Sequence, residues 1–235
     1  MPLSQDEFIA TLTAELDSRS LAEHPLIAAL GRGDLTRDQI RDFASHWYHG
    51  IKNAPRFFSA IHSNCPDLRV RRMILENLIG EETDQLAGSD SHPALMLRFL
   101  QALGATEAEV EALPPIPEAA EFGAWTLQTC QRQPYQIGIA ATGLAHEWYF
   151  PESYQLIVDS LRRNYGFDDH TIEFFIAHIE GDEEHRRVAF EIVARYSTTD
   201  EIQRQVIETV IASRDRMFHA WDAFARRAGV AVGLM

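Results

Sequence analysis

Cysteine is scarce in this chain. Its 235 residues hold two, Cys65 and Cys130, too few for a disulfide framework and without the spacing of a metal finger, so both read as buried thiols. Long apolar runs are missing as well, and no segment is expected to span a bilayer. The start, Met-Pro-Leu-Ser-Gln-Asp-Glu-Phe, has neither the basic residues nor the apolar stretch of a signal peptide, so the expected location is the cytoplasm. Positive charge is in deficit: 21 Lys and Arg against 35 Asp and Glu give a formal charge of -14. That balance repels a phosphate backbone and offers no basic stripe to nucleic acid or anionic lipid. Serine-elbow and phosphate-loop patterns are absent, as are internal repeats and low-complexity tracts. So are the alternating, valine-rich runs that mark strands.

What is present is a three-and-four spacing of apolar residues in nearly every segment, which predicts an all-α chain forming one domain over residues 1–235. Ser4 or Asp6 is expected to start a first helix through about Ser18, and Pro25 a short one ending near Gly31 to Gly33. Thr36 followed by Gln39 reads as a capping box for a long helix carrying Phe43, Trp47, Ile51 and Phe58, with Pro55 as a kink or break. Pro66 and Asp67 open a helix carrying Ile74, Leu78 and Glu81, and His92 precedes Pro93 and a helix running to Gly104. The proline-rich segment 111–118 reads as an ordered connector or a linker. Pro134 is expected to begin one helix running through Glu147 toward Arg163, bent at Pro151. Asp168 or Asp169 and then Thr198 or Thr199 are expected to cap the last two helices.

His178, Asp182 and His185 stand at offsets of four and seven, which bring side chains back to one face of a helix. Two imidazoles with a carboxylate between them suit iron, manganese or zinc. A solvated face on which Asp182 pairs with the histidines has the same spacing. Glu147, in Ala-Thr-Gly-Leu-Ala-His-Glu-Trp-Tyr-Phe, and Glu81, after Leu-Ile-Gly, lie in more apolar settings than surface carboxylates need. Buried there, each must be paired, protonated or metal-bound to offset its desolvation.

These residues resemble the haem-oxygenase-like di-iron oxidases and oxygenases, relatives of the chlamydial death-domain-associating protein and of thiaminase-like and pyrroloquinoline-quinone-synthase-like proteins. The similarity covers nearly the whole length. It is carried by His24-Pro25, by Ala60 to Asp67, by Glu76 to Glu82 with His92-Pro93, by Glu147, and by the His178, Asp182, His185 triplet. It implies a seven-helix bundle with two irons, or manganese in their place, held by Glu81, His92, Glu147, His178, Asp182 and His185. Dioxygen would be the co-substrate, and the carboxylates Glu81, Glu147 and Asp182 would shift as the metals change oxidation state. A homodimer and an external reductant are further expectations of the resemblance. His92 follows a loop rich in Gly, Ser and Asp, with a longer gap from Glu81 than in similar proteins, so segment 82–91 is expected to be mobile without metal and one iron to be held more weakly than the other.

The departures bear on substrate. In the branch that makes para-aminobenzoate from its own side chains, a tyrosine and a lysine stand where this chain has Ile27 and Ile157. An external substrate is therefore expected; the resemblance points to an amino acid or a small metabolite derived from one, with fatty-acid decarboxylation, which needs a long apolar channel, as the family's other direction. A thiaminase-like cysteine is missing before Glu147, where Ala141 and Thr142 stand and Cys130 is too far upstream. A cofactor-free enzyme and a helical adaptor remain the alternatives. His46, Trp47, Tyr48, His49, His62, His146 and Tyr149 could contact substrate or serve the core. Arg186 and Arg187 could bind a carboxylate, or lie on a solvated surface.

Overall fold

The first N–H groups of a helix lack partners inside it, and the polar side chains that take them up decide where this chain begins to coil. The computed structural model describes residues 1–85 and 89–233, with the side chains of residues 180–185 outside the description. Its helices are α1 (Gln5–Leu16), α2 (Pro25–Arg32), α3 (Arg37–Asn64), α4 (Leu68–Glu82), α5 (His92–Ala102) and α6 (Glu107–Ala112). They continue as α7 (Pro117–Arg132), α8 (Tyr135–Ile139), α9 (Phe150–Tyr165), α10 (Glu173–Tyr196) and α11 (Asp200–Arg227), with a π-helical turn, Ala140–Leu144, between α8 and α9. Ser4 with Glu7, and Thr36 with Gln39, close capping boxes on α1 and α3. The Asp67 carboxylate accepts from Arg69 and Val70 N–H at the start of α4, and Thr199 accepts from Ile202 at the start of α11. α2 is capped by an imidazole. His24 Nδ1 accepts from Leu26 N–H, so Nε2 carries the proton and donates to Asp222 Oδ1 at 3.0 Å, tying α2 to α11.

The all-α expectation holds, and no strand occurs among the described residues. The expected count of seven does not: eleven α-helices are present among the described residues, because several connections coil into short helices of their own. Three boundaries also differ from expectation. Pro55 neither ends nor splits α3, which runs through it to Asn64. Asp168 caps the turn before α10 through Thr171 N–H, and α10 itself starts at Glu173 behind Ile172 with no side-chain cap. The single helix expected from Pro134 to Arg163 is three pieces, α8, the π turn and α9, because Pro151 lacks the N–H a continuing helix needs and instead begins α9. The segment 111–118 is an ordered connector: the Pro114 carbonyl accepts from His46 Nδ1 at 3.0 Å, and Pro117 opens α7.

The buried side chains form one contiguous cluster. α3 packs on α4, α5 and α7, α9 on α2 and α10, and α11 on α1 and α7. At the centre stands Trp47, whose ring lies 5.4 Å from Phe43, 5.3 Å from Trp221, 6.0 Å from Phe174 and 6.2 Å from Tyr154. Each such aromatic pair adds roughly 0.5–1.5 kcal/mol beyond the area it buries. Two glycines set how closely helices approach around the π turn. A Cβ on Gly138 would sit 2.8 Å from Ile61 Cγ1 on α3, and one on Gly143 would sit 3.0 Å from the Ala189 Cβ on α10.

Candidate metal centre

α4 delivers Glu81 in its last turn, α5 begins with His92, and α10 carries His178 one turn after Phe174. All three are buried, and one ligand-capable atom of each lies within 4.8 Å of the others. The His92 Nδ1–H donates to Glu81 Oε2 at 3.0 Å, and the two imidazole rings lie 4.1 Å apart. His178 Nδ1 is 2.6 Å from the Phe174 carbonyl oxygen. Since a carbonyl can only accept, that nitrogen bears the proton and Nε2 is the ring's lone-pair nitrogen. This is the backbone hydrogen bond that orients metal-binding histidines and fixes their tautomer. One carboxylate and two imidazoles, converging out of water with one ring already fixed, form a donor set that fits iron.

Glu147 stands in the turn that follows the π segment, 7 % exposed. Together with Glu81 and His178 it lines a cavity of about 360 Å³. The π turn carries it there: Gly143, one turn earlier, has its missing Cβ position 3.5 Å from Glu147 Oε2. π bulges inside helical segments are frequent at functional sites. The backbone of Asp182 and His185 continues α10, and their side chains lie outside the described residues. So does part of the segment 82–91, namely 86–88, for which mobility without metal is the expectation.

The other singled-out residues divide between cavity and scaffold. His46, Trp47, His49 and His146 line the cavity, whereas Tyr48 turns its hydroxyl to Glu111 at 3.2 Å, and burial beside that carboxylate pushes its pKa up to about 12. Burial pushes His146 down to about 4, so its ring is neutral at pH 7, and Phe122 packs on it at 4.9 Å. His62 and Tyr149 are not among the lining residues. Arg186 stacks over the Trp148 ring at 4.8 Å, and Arg187 pairs with Glu191, which matches the surface reading of both. The Cys130 thiol is fully buried and pushed up to about 12 by desolvation, the opposite of a nucleophile. Among the cavity residues that the sequence does not single out are Tyr154, whose ring is 5.3 Å from His178, and Asn53 and Arg56 on α3. Tyr154 follows Glu147 by seven residues, a helical repeat that was the signal available.

The iron-containing redox enzyme family matches residues 41–216. The chain belongs to that family. This iron-containing redox enzyme is 30 % identical over 230 residues to a 4-aminobenzoate synthase of Nitrosomonas europaea, covering 94 % of this chain and 92 % of that one. It is 26 % identical over 229 residues to a pyrroloquinoline-quinone synthase of Pseudomonas putida, covering 96 % and 88 %. In fold it is similar to a haem-oxygenase-like domain of unknown function from Shewanella denitrificans, with a TM-score of 0.77 at 14 % identity over 97 % of this chain and 95 % of that one. The redox enzyme therefore has the haem-oxygenase-like fold expected of it. Ile27 and Ile157 are both buried, at 1 % and 2 % exposure, so neither position offers a phenol or an amine. The enzyme's single lysine, Lys52, is ion-paired with Glu111 and is not among the residues lining the cavity. No helix among the described residues is long and apolar enough to cross a membrane.

Proposed function

We propose that this enzyme holds two irons on Glu81, His92, Glu147, His178, Asp182 and His185 and uses dioxygen to oxidise an external amino acid or amino-acid-derived metabolite in a biosynthetic pathway. The observation that carries the reading is the buried convergence of Glu81, His92 and His178 within 4.8 Å at a cavity that Glu147 also lines. Buried carboxylates and imidazoles cost several kcal/mol unless paired or ligating, and a purely structural core has no use for so many. When bound, iron would supply the activation of dioxygen and the redox change.

The chain's own groups do the rest. Glu81 and Glu147 neutralise cationic charge inside a low-dielectric site, where that balance is worth more than in water. His178 is held by the Phe174 carbonyl, so the ring does not reorient as ligands exchange. The aromatic walls, Trp47, Phe150, Phe174 and Trp221 among them, exclude water from the reacting segment and position an apolar substrate against the donors. That two relatives are named as synthases of small molecules supports a biosynthetic oxidation. Self-consumption is disfavoured by buried Ile27 and Ile157 and by a lone lysine engaged outside the cavity.

Loading the protein anaerobically with ferrous iron and then admitting oxygen tests the reading. The expected result is two irons per chain, oxygen uptake and a transient visible absorption whose decay quickens when substrate is present. A colourless protein holding less than one iron would transfer the assignment to a cofactor-free enzyme or a helical adaptor.

A further inference from the structure

His92 and His178 reach each other from different helices, so the metal-binding spacing depends on how α5 lies against α10. The two helices pack together and run antiparallel. His92, at the start of α5, meets His178 with ring centroids 4.1 Å apart, and Arg98, six residues further along α5, meets Glu173, five residues earlier on α10. The two meetings are about 9 Å apart along α5 and about 7.5 Å apart along α10. Between them the seam is aromatic: Phe99 lies edge-on to Phe175 at 5.1 Å, and Phe174 edge-on to His92 at 6.2 Å. Such ring pairs stay favourable over centroid separations of about 4.5–7 Å, so they fill space without fixing a register. Metal–ligand distances tolerate only about 0.2 Å, and a slip of a single residue displaces a helix by about 1.5 Å.

Arg98 supplies the directional contact that the rings lack. Its Nη1 donates to Glu173 Oε2 at 2.6 Å and to the His170 carbonyl at 3.2 Å, and its Nη2 donates to the Ser89 hydroxyl at 3.4 Å. Those acceptors come from the first residue of α10, from the turn before α10, and from the segment that leads into His92. A guanidinium is a rigid planar fork, so groups held on it keep their places relative to one another. The Arg98 side chain is 24 % exposed and that of Glu173 21 %, which shields the pair from the screening that leaves fully exposed ion pairs worth little. The pairs Arg162 with Asp169 and Arg227 with Asp42 are both more exposed. Neither Arg98 nor Glu173 belongs to the donor set, and neither is among the residues lining the cavity.

We propose that Arg98 and Glu173 are positioning residues for the metal centre: their ion pair sets the register of α5 on α10 at which His92 and His178 face one ion, and through Ser89 it anchors the approach to His92. The inference rests on the proposed metal site and specifies which residues outside it hold it ready. A charge-assisted hydrogen bond is short and oriented, and here it acts at the far end of the seam from the imidazoles, where it opposes sliding and rotation of one helix on the other. Without the pair the aromatic seam leaves the two imidazoles free to drift by more than a metal ion accepts. The bundle persists, because Leu95, Met96 and Leu100 on α5 and Phe174 and Phe175 on α10 remain buried in the core. Loss of a partner that orients ligands lowers metal affinity roughly 10- to 100-fold, and that is the size of effect expected here.

The experiment titrates full-length, metal-stripped protein anaerobically with cobalt(II), a stand-in for ferrous iron whose visible bands report both occupancy and ligand geometry. Arg98→Met keeps an apolar stem and removes the charge and the donors. Arg98→Met and Glu173→Ala are each expected to lower cobalt affinity by roughly 10- to 100-fold and to shift the bands. The double variant is expected to lose no more than either single one, because both substitutions delete the same interaction. Arg98→Lys, which keeps the charge, is expected to lose less than Arg98→Met. Arg227→Gln breaks an ion pair between α11 and α3 and is expected to leave cobalt affinity and spectrum unchanged. Thermal melting of the metal-free proteins shows which variants fold, and where Arg98→Met does not, Glu173→Ala and Arg98→Lys carry the same test. Wild-type affinity in the folded Arg98 and Glu173 variants overturns the proposal. So does a double variant whose loss is the product of the two single losses, or a loss in Arg227→Gln as large as in Arg98→Met. Wild type that binds no cobalt sinks the metal reading and this inference with it, whereas wild type that binds cobalt no better than Arg98→Met sinks this inference alone.

Discussion

His178 shows how much chemistry one hydrogen bond decides. With Nδ1 committed to the Phe174 carbonyl at 2.6 Å, the ring has one tautomer and its Nε2 carries the lone pair that the proposed metal site requires. Loss of a merely orienting partner lowers metal affinity by roughly 10- to 100-fold, so loss of a ligand should cost more than the top of that range. Glu81→Gln, His92→Ala and His178→Ala are each expected to lower iron affinity by more than about 100-fold, read as iron retained after dialysis. Full retention in all three would mean that the buried trio is not the metal site. Cys130 supplies a second test at this scale. A thiol pushed up to about 12 in a fully buried position is almost wholly protonated at pH 8. Native protein should therefore resist iodoacetamide at Cys130 for hours while urea-unfolded protein is alkylated within minutes. Rapid labelling of Cys130 in the native state would reopen a thiol nucleophile.

At the scale of elements, capping was the legible layer. Thr36 with Gln39, Asp67 and Thr199 signal helix starts through side chains only two or three residues from the N–H groups they satisfy, and such local chemistry survives in a bare sequence. The π turn was not legible. Ala140 to Leu144 has the composition of an ordinary helix, and the wider hydrogen-bond register there depends on where α8 and α10 hold the chain. The site followed the same division. Glu81 and Glu147 are readable as acids in apolar surroundings, whereas Asn53 and Arg56 line a cavity that forms only where α3 packs on α7, a contact between distant segments that no local pattern announces. Gly143 is where the element and the site meet. A methyl group there would press on the Ala189 Cβ at 3.0 Å and, unlike the flexible end of a long side chain, that Cβ cannot swing aside. Gly143→Ala is expected to cost about 1–3 kcal/mol, typical of overpacking, and to lower iron affinity because the turn presenting Glu147 shifts with it. Urea denaturation and iron titration of the variant check both effects. An unchanged midpoint with unchanged iron binding would show that the π turn has slack.

For the whole molecule, burial of imidazoles couples folding to acidity. His24, His46 and His146 all have pKa values lowered chiefly by desolvation, and His146 falls from 6.5 to about 4. In the unfolded chain each titrates near 6.5, so below that pH the unfolded state takes up protons that the folded state refuses. Stability must therefore fall as the pH drops from 6.5 toward 4, and it must be nearly flat with respect to these groups above about 7. His146 alone sets the scale: its shift of about 2.5 pH units corresponds to about 3 kcal/mol lost across the window. Asp168 has its pKa lowered by its hydrogen bonds to Thr171, and its loss of stabilisation comes at still lower pH. The check is urea denaturation of metal-stripped protein at pH 7.5, 6.5, 5.5 and 4.5, with His146→Leu alongside. Wild type should lose stability progressively below 6.5, and the variant should lose less, by a slope of about one proton or 1.4 kcal/mol per pH unit. A wild-type midpoint that stays level from pH 7.5 to 4.5 would mean that the imidazoles charge in place, which requires water or a counter-charge to reach His146 inside the fold.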